Sequence, residues 1–223
     1  MHCVIWFPYS CSGSKKSSGS LYCMNSGTWL KVFNENGVTD ILGIDGDYLD
    51  KTLLKIDPKN FKEYDLEKFY KSSRKYDLAI SLEVAEHLSF VSADKFVASL
   101  TGLSNTLIFS AAIPYQGGQN HINEQKPEYW IKKFGDKGYF LLDILRPFFW
   151  DNENIDPWYR QNIFLFSNKK SIISKFDSFE NFYGKHLVHP KIFQHKALGV
   201  SHYKTQFETL MKAIEDHNMG RDV

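Results

Sequence analysis

The run Lys75-Tyr76-Asp77-Leu78-Ala79-Ile80-Ser81-Leu82 limits what this chain can fold into more than any other stretch. Leu78, Ala79, Ile80 and Leu82 form an apolar block of strand length. Such a block, lacking the polar alternation of a half-exposed strand, belongs in the middle of a parallel sheet with helices on both faces. The next residues, Glu83-Val84-Ala85-Glu86-His87-Leu88, bring three ionisable side chains into one short turn. Open α/β sheets bind ligands beyond the carboxyl ends of their strands. Glu83, Glu86 and His87 are therefore a candidate site. The plainer alternative is that they cap the helix that follows, or face water.

The chain has 223 residues, which suits one large α/β domain or one domain with a tail. Its hydrophobic fraction of 43% supports a sizeable core, and 18 Phe with 12 Tyr argue against general disorder. Lys and Arg number 27 against 26 Asp and Glu, a formal charge of +1, so no global basic surplus points to a nucleic-acid partner. Cys3, Cys11 and Cys23 form neither a disulfide framework nor a common zinc spacing. Free thiols in a cytosolic protein are the simplest account. The opening Met-His-Cys-Val-Ile-Trp-Phe lacks a signal peptide's basic region and length, and no apolar stretch approaches bilayer-spanning length. The expectation is a cytoplasmic protein without a membrane partner.

Residues 4–7 are a short strand candidate, and 10–20 read as a loop rich in Ser, Gly and Lys, so 1–20 is set apart as an atypical N-terminal segment. Leu21-Tyr22-Cys23-Met24 is the next strand candidate, and Asn25-Ser26-Gly27 a tight turn. Thr28 opens a helix in which Trp29, Val32 and Phe33 recur at helical spacing, and Gly37 ends it. A strand over 39–44 then ends in Asp45-Gly46-Asp47. Strand, turn, helix, strand and terminal acid form a nucleotide-binding layout. An aspartate at Asp45 can accept both hydrogen bonds of a ribose diol, while the helix start supplies free N–H groups and a positive dipole end. The alternative for Asp45 is a turn aspartate before Gly46. A short strand over 61–64 ends at Asp65, which either reaches an adenine edge or caps 66–70.

After the central strand, a helix starting at Ser89 or Ser92 carries Phe96, Val97 and Leu100 on a buried stripe. Residues 106–111 form another apolar strand, and 114–126 a polar loop with Gly117, Gly118, His121, Asn123 and Glu124. Pro127 begins a helix, 139–145 reads as a strand and 163–166 as the last strand. Arg146-Pro147-Phe148-Phe149-Trp150 and Trp158-Tyr159-Arg160-Gln161-Asn162 interleave aromatics with arginine, which suits either base stacking or core packing. The periodic pattern weakens beyond 168, so 169–223 is expected to be a helical tail or cap, with a terminal helix over 201–217.

Taken together, Gly27-Thr28-Trp29-Leu30, Leu42-Gly43-Ile44-Asp45-Gly46-Asp47-Tyr48 and the whole run from Tyr76 to Leu88 resemble class I S-adenosylmethionine-dependent methyltransferases. His121-Ile122-Asn123-Glu124 and Trp158-Tyr159-Arg160-Gln161-Asn162 look like a bacterial and phage branch of that family. The resemblance covers about two thirds of the chain and makes 21–168 a methyltransferase-like domain. It implies an α/β, doubly wound, mostly parallel seven-stranded sheet with a final antiparallel strand. S-adenosylmethionine would be the cofactor, with Asn25 and Gly27 under its methionine portion. Asp45 and Gly46 would lie at the ribose, Asp65 at the adenine edge, and Ser81, Leu82 and Glu83 beside the methyl-transfer site. The family's first strand and turn usually carry an acid and three glycines. Here Leu21 stands in the place of the acid, and Cys23 and Asn25 in places of glycines.

Methyl transfer to a hydroxyl needs alignment of the oxygen with the methyl carbon and removal of its proton. His121, in the loop on the acceptor side, is the first choice of base, with His87 and Glu83 the other catalytic candidates. Glu83, Glu86, His87 and His121 also form a set of two carboxylates and two imidazoles able to hold Mg²⁺ or Mn²⁺ next to an alcohol. Some methyltransferases acting on RNA 2′-hydroxyls or quinone precursors resemble this in a Glu-x-x-Glu-His run with a later His. A nicotinamide oxidoreductase would need the three glycines of the first turn, which are missing. The expected acceptor is a small-molecule or glycan hydroxyl, with a non-catalytic binding protein and a metal-assisted RNA O-methyltransferase as alternatives. The sequence leaves the oligomeric state open.

Overall fold

The computed structural model describes residues 2–6, 27–176 and 183–219, with the backbone alone for 2–6 and 213–219. These residues divide into two compact units, one through His186 and one from Leu187.

The first unit is built on a sheet of seven strands: β1 His2–Trp6, β2 Asp40–Asp45, β3 Phe61–Glu63, β4 Leu78–Leu82, β5 Thr106–Ser110, β6 Phe140–Leu142 and β7 Phe164–Ser167. Their spatial order is β3-β2-β1-β4-β5-β7-β6. β1 lies parallel between β2 and β4, with Val4 opposite Leu42 on one side and Ala79 on the other. β7 runs antiparallel to both β5 and β6, with Phe109 opposite Phe164 and Leu142 opposite Leu165. All five residues of β4 are buried, as a doubly covered strand requires.

The expected strand at Leu21 to Met24 and the turn residue Asn25 lie outside the described residues. The strand in the sheet's centre comes instead from the segment set apart as 1–20. His2-Cys3-Val4-Ile5-Trp6 is an apolar, β-branched run of strand length, and its pairing with two neighbours brings it into the domain. The other boundary also moves. The first unit continues past 168 to His186, because Gly184 donates its N–H to Asp143 (2.8 Å) and the Lys185 carbonyl accepts from Arg146 (2.9 Å).

Helices cover both faces. On one side α2 (Ala93–Leu103) and α3 (Pro127–Gly135) bring Phe96, Leu100, Trp130 and Phe134 against Ala79, Leu107, Phe109 and Phe166. The Phe109 ring meets Trp130, Phe134 and Phe166 with centroids 5.2, 5.1 and 6.4 Å away. On the other side α1 (Thr28–Glu35), α4 (Leu145–Phe149) and α5 (Pro157–Asn162) bring Leu30, Leu145 and Tyr159 to Leu78, Ile80 and Leu82. The two-residue side-chain period of β4 thus divides its residues between two cores. Each fully buried Leu or Phe contributes about 1.5–3 kcal/mol. The strand expected over 139–145 is shorter, because its end turns into α4.

Tyr139 fastens α2 to β6 through a buried hydroxyl, which donates to the Ser104 carbonyl at 2.5 Å, with the Thr101 carbonyl 3.0 Å away. Tyr139→Phe is expected to lower stability by about 1–2 kcal/mol, because a buried acceptor loses its donor. Urea unfolding measures this. An unchanged midpoint would show that the bond contributes nothing net.

The first unit closes with α6 (Lys170–Phe176). The second is dominated by α7 (Pro190–Met219), which begins earlier than the expected 201 because Pro190 suits a first helical turn and His189 Nδ1 accepts from the Lys191 N–H (3.2 Å). No helix among the described residues is long and apolar enough to cross a membrane.

Candidate active site

The carboxyl ends of β2, β4 and β5 point to one edge of the sheet, and Asp45, Ser81, Leu82 and Glu83 lie at or just after those ends. β2 ends at Asp45, which is fully buried. Its Oδ1 accepts from the Gly46 N–H (2.8 Å) and from the Tyr48 hydroxyl. Its Oδ2 is buried with no partner among the described residues. Burial pushes the carboxyl up to about 7, against the opposing pull of the Tyr48 and Gly46 hydrogen bonds. Gly46 makes this geometry possible, since a Cβ there would fall 2.1 Å from the Tyr48 ring. Tyr48 was not singled out from sequence as a site residue.

Gly27 caps α1 from the left-handed region at φ 88°, where glycine carries no Cβ penalty. Just inside it, Thr28 Oγ1 and Trp29 Nε1 are buried without partners among the described residues. Asp65 follows β3, beyond the same end of the sheet as Asp45. Its carboxylate is half exposed, accepting from the Glu67 N–H (3.0 Å) and pairing with Lys68 (3.2 Å), the arrangement of a turn cap. Ser81 is buried near the end of β4, its Oγ without a partner among the described residues, and Leu82 is the strand's last residue.

The turn after β4 is built unusually. Glu83 takes φ 52°, a left-handed conformation that a side chain adopts at some cost. Its N–H donates to the Ser110 carbonyl (3.0 Å) at the end of β5. Its carboxylate accepts from Gln116 Nε2 (3.1 Å) and Asn162 Nδ2 (3.2 Å). Gln161 and Asn162 also donate to Gln116 Oε1, at 3.1 and 2.9 Å. Burial raises the Glu83 carboxyl, while hydrogen bonds from Ser110, Asn162 and Gln116 oppose the shift. The amides of Gln116, Gln161 and Asn162 are members of the site that sequence reasoning did not assign. The Trp158 to Asn162 run drew notice for its aromatics and arginine and for its family resemblance, with no role assigned to its amides.

Glu86 sits in a one-turn 3-10 helix, Ala85–His87. It is completely buried, and neither carboxylate oxygen has a hydrogen-bond partner among the described residues. Burial, then the neighbouring Glu83 charge, raises its carboxyl well above the usual range. The loop after β5 folds onto this turn, because the N–H groups of Ile122 and Asn123 both donate to the Glu86 carbonyl (2.9 and 3.0 Å). That docking delivers His121 next to His87, their rings edge to face at 4.8 Å. His121 Nδ1 lies 2.8 Å from Glu124 Oε1, which also accepts from the Gly117 N–H (2.6 Å). A carboxylate on Nδ1 fixes ring orientation and leaves Nε2 for other work. His87 is pushed down to about 4 by burial and then by His121, so it is neutral at pH 7.

Ligating atoms of Glu86, His87 and His121 all lie within 4.8 Å of one another. Glu83, the fourth residue of the expected set, is not in that group; its carboxylate is held by the amides of Gln116 and Asn162. The structure therefore brings together ligating atoms of three of the four expected residues; Glu83 stands outside that group, though close enough for its charge to raise the Glu86 carboxyl.

No protein-family profile matches the chain, and no curated protein does. Solved structures do. The methyltransferase domain of a bacterial Hen1 is 19% identical over 74% of this chain and 88% of its own, with a TM-score of 0.45. An S-adenosylmethionine-dependent methyltransferase from Archaeoglobus fulgidus is 13% identical over 75% of this chain and 86% of its own, with a TM-score of 0.47. The small RNA methyltransferase HEN1 is 16% identical over 82% of this chain and 24% of its own, with a TM-score of 0.50. With the sheet order β3-β2-β1-β4-β5-β7-β6 and β7 antiparallel, the match to HEN1 shows that this chain has the fold of the class I S-adenosylmethionine-dependent methyltransferases.

Proposed function

We propose that the chain is an S-adenosylmethionine-dependent methyltransferase that acts on a hydroxyl of a sugar or another small acceptor. The observation that carries this reading is Asp45. A buried carboxylate oxygen with no partner among the described residues, at the end of the second strand, would accept hydrogen bonds from a ribose diol. A turn aspartate of no further purpose would be solvated, or satisfied by its own turn. Gly27 and the N–H groups at the start of α1 would receive the methionine portion, with Ser81, Leu82 and Glu83 flanking the sulfur. Asp65, at the end of β3, is the remaining candidate for the adenine edge.

The cofactor supplies a methyl group on a sulfonium. In its transfer the acceptor oxygen forms the new O–C bond, the C–S bond breaks, and the electron pair neutralises the sulfur. The hydroxyl proton then needs an acceptor. His121 is suited to take it, because Glu124 on Nδ1 holds the ring and leaves Nε2 available. Glu83, held by Gln116 and Asn162, would orient the acceptor rather than move freely.

The convergence of Glu86, His87 and His121 favours a compatible second reading, in which these three hold a divalent cation. Such a cation would lower the pKa of an alcohol bound beside it. Two imidazoles with one carboxylate suit Mn²⁺ better than Mg²⁺, which prefers oxygen ligands.

The test is calorimetric titration with S-adenosylhomocysteine, followed by transfer of labelled methyl groups to a panel of sugars, small alcohols and small RNA, with and without Mn²⁺. Micromolar binding and labelling of a hydroxyl acceptor are expected. Binding without transfer to any member of the panel would favour the non-catalytic alternative. Folded protein that binds no S-adenosylhomocysteine would remove the methyltransferase reading.

A further inference from the structure

Two buried arginines beside the last strands have different surroundings. Arg146 is fully buried and satisfied: Nε and Nη2 donate to Asp143, and Nη1 donates to the carbonyls of Lys185 (2.9 Å) and Gln161 (3.4 Å). Arg160 is 2% exposed, and the hydrogen bond described for it is Nη1 to the Trp150 carbonyl at 3.2 Å. Its Nε is buried without a partner, and no acidic side chain among the described residues pairs with it. A guanidinium cannot shed its proton in a protein. Burying one against a single carbonyl is unfavourable, and such a charge calls for an anion.

The position of Arg160 suggests where that anion comes from. β7 runs antiparallel to β5, and Phe164 at its start pairs with Phe109 near the carboxyl end of β5. The residues just before β7 therefore lie over the ligand-binding edge, where Asn162 already reaches Glu83. Tyr159, next to Arg160, meets Trp29 of α1 edge to face at 6.0 Å. Trp29 Nε1 and Thr28 Oγ1 are themselves buried without partners among the described residues. Arg160 Nε, like Trp29 Nε1 and Thr28 Oγ1, is thus a buried donor with no partner among the described residues, and an oxyanion beside it would satisfy it.

We propose that Arg160 is the counter-ion for an oxyanion, carboxylate or phosphate, of a ligand bound over the carboxyl edge of the sheet. The methyltransferase reading is needed only to name the two sources: the methionine carboxylate of the cofactor, or an anionic group on the acceptor. Arg160 is then a determinant of ligand charge, separate from Asp45 and from the Glu86, His87 and His121 group.

Calorimetry with S-adenosylhomocysteine, with 5′-methylthioadenosine (which lacks the amino-acid portion) and with inorganic phosphate tests this on wild-type, Arg160→Met and Arg160→Lys. If the cofactor supplies the oxyanion, Arg160→Met weakens S-adenosylhomocysteine about 10- to 100-fold, as for lost hydrogen bonds to a charged group, and leaves 5′-methylthioadenosine unchanged. If the acceptor supplies it, both adenosine ligands are unaffected. Phosphate then binds the S-adenosylhomocysteine-loaded wild type and not Arg160→Met. Arg160→Lys, which keeps the charge and loses the fork, should fall between in either case. Relieved of an unpaired charge, the ligand-free Arg160→Met protein should unfold at the same temperature as wild type or higher, whereas a structural role predicts a lower one. Should Arg160→Met fail to fold, the wild type still decides, because phosphate must either compete with S-adenosylhomocysteine or bind beside it. Absence of both effects overturns the proposal, as does an Arg160→Met protein that binds all three ligands like wild type. A wild type that binds neither adenosine ligand, but binds phosphate through Arg160, would remove the methyltransferase reading and leave the anion site standing.

Discussion

Asp45→Asn is expected to make the ligand-free protein more stable while weakening S-adenosylhomocysteine by roughly 10²- to 10⁴-fold, the range for two hydrogen bonds to a charged group. The two effects have one cause. Burial raises the Asp45 carboxyl from 3.8 to about 7, so the folded protein holds a proton that the unfolded chain releases. Stability therefore falls as pH rises from about 4 towards 7, and the loss is complete above the folded value. The shift corresponds to about 4 kcal/mol as an upper figure. Asparagine is neutral throughout and keeps an oxygen for the Gly46 N–H and the Tyr48 hydroxyl. Its advantage over aspartate should be small near pH 4 and reach about 2–4 kcal/mol at pH 8, after allowing for one unsatisfied amide N–H.

Ligand binding has the opposite dependence. A ribose diol needs an ionised carboxylate, so wild-type affinity should drop about tenfold per pH unit below 7, and the Asp45→Asn affinity should be flat. Urea unfolding at pH 4.5 and pH 8, with titrations between pH 5.5 and 7.5, checks both sides. A variant less stable than wild type at pH 8, or one that keeps its affinity, would show that Asp45 serves the fold and not a ligand.

The buried acid at the end of β2 was legible because its signal is local: an apolar strand, one acid at its end, and a glycine after it. β4 was legible for a similar reason, since Leu78, Ala79, Ile80 and Leu82 suit no other place than a sheet interior. The central first strand was not. The sequence offers two apolar runs near the start, and the one beside Asn25-Ser26-Gly27 has the shorter connection to α1. Only pairing with β2 and β4, a property of the whole sheet, shows His2–Trp6 in that position. The amide group around Glu83 was hidden for a different reason. Gln116 and Asn162 lie 33 and 79 residues away from it, and polar side chains in loops carry no periodicity. The Glu-x-x-Glu-His spacing suggested two equivalent carboxylates. The left-handed backbone at Glu83 accompanies an inequivalence: one carboxylate is held by amides, the other is buried beside two imidazoles.

That inequivalence leads to the second large effect. Glu86 is buried with neither oxygen partnered by a hydrogen bond among the described residues, in a turn that the 115–125 loop pins through two backbone hydrogen bonds. Folding places an acid, its carboxyl raised well above the ordinary range by burial, next to two imidazoles, with ligating atoms of all three within 4.8 Å of one another. A divalent cation would satisfy all three at once. Mn²⁺ at a hundredfold excess over its dissociation constant should then stabilise the wild type by about 2.7 kcal/mol, raising the unfolding midpoint by roughly 5–10 °C for a unit of this size. Glu86→Gln keeps the shape, removes the anionic ligand and should lower Mn²⁺ affinity at least about 100-fold, so the shift disappears, while the metal-free variant is as stable as wild type or more so. His121→Ala should also lose most of the shift, and Glu83→Gln should lose much less, since Glu83 stands outside the converging group. The order of these three variants distinguishes this site from a loose acidic patch, in which Glu83 would matter as much as Glu86. Wild-type protein whose midpoint does not respond to millimolar Mn²⁺ would instead assign the Glu86 carboxyl, kept neutral by burial, to donating a hydrogen bond to the acceptor itself.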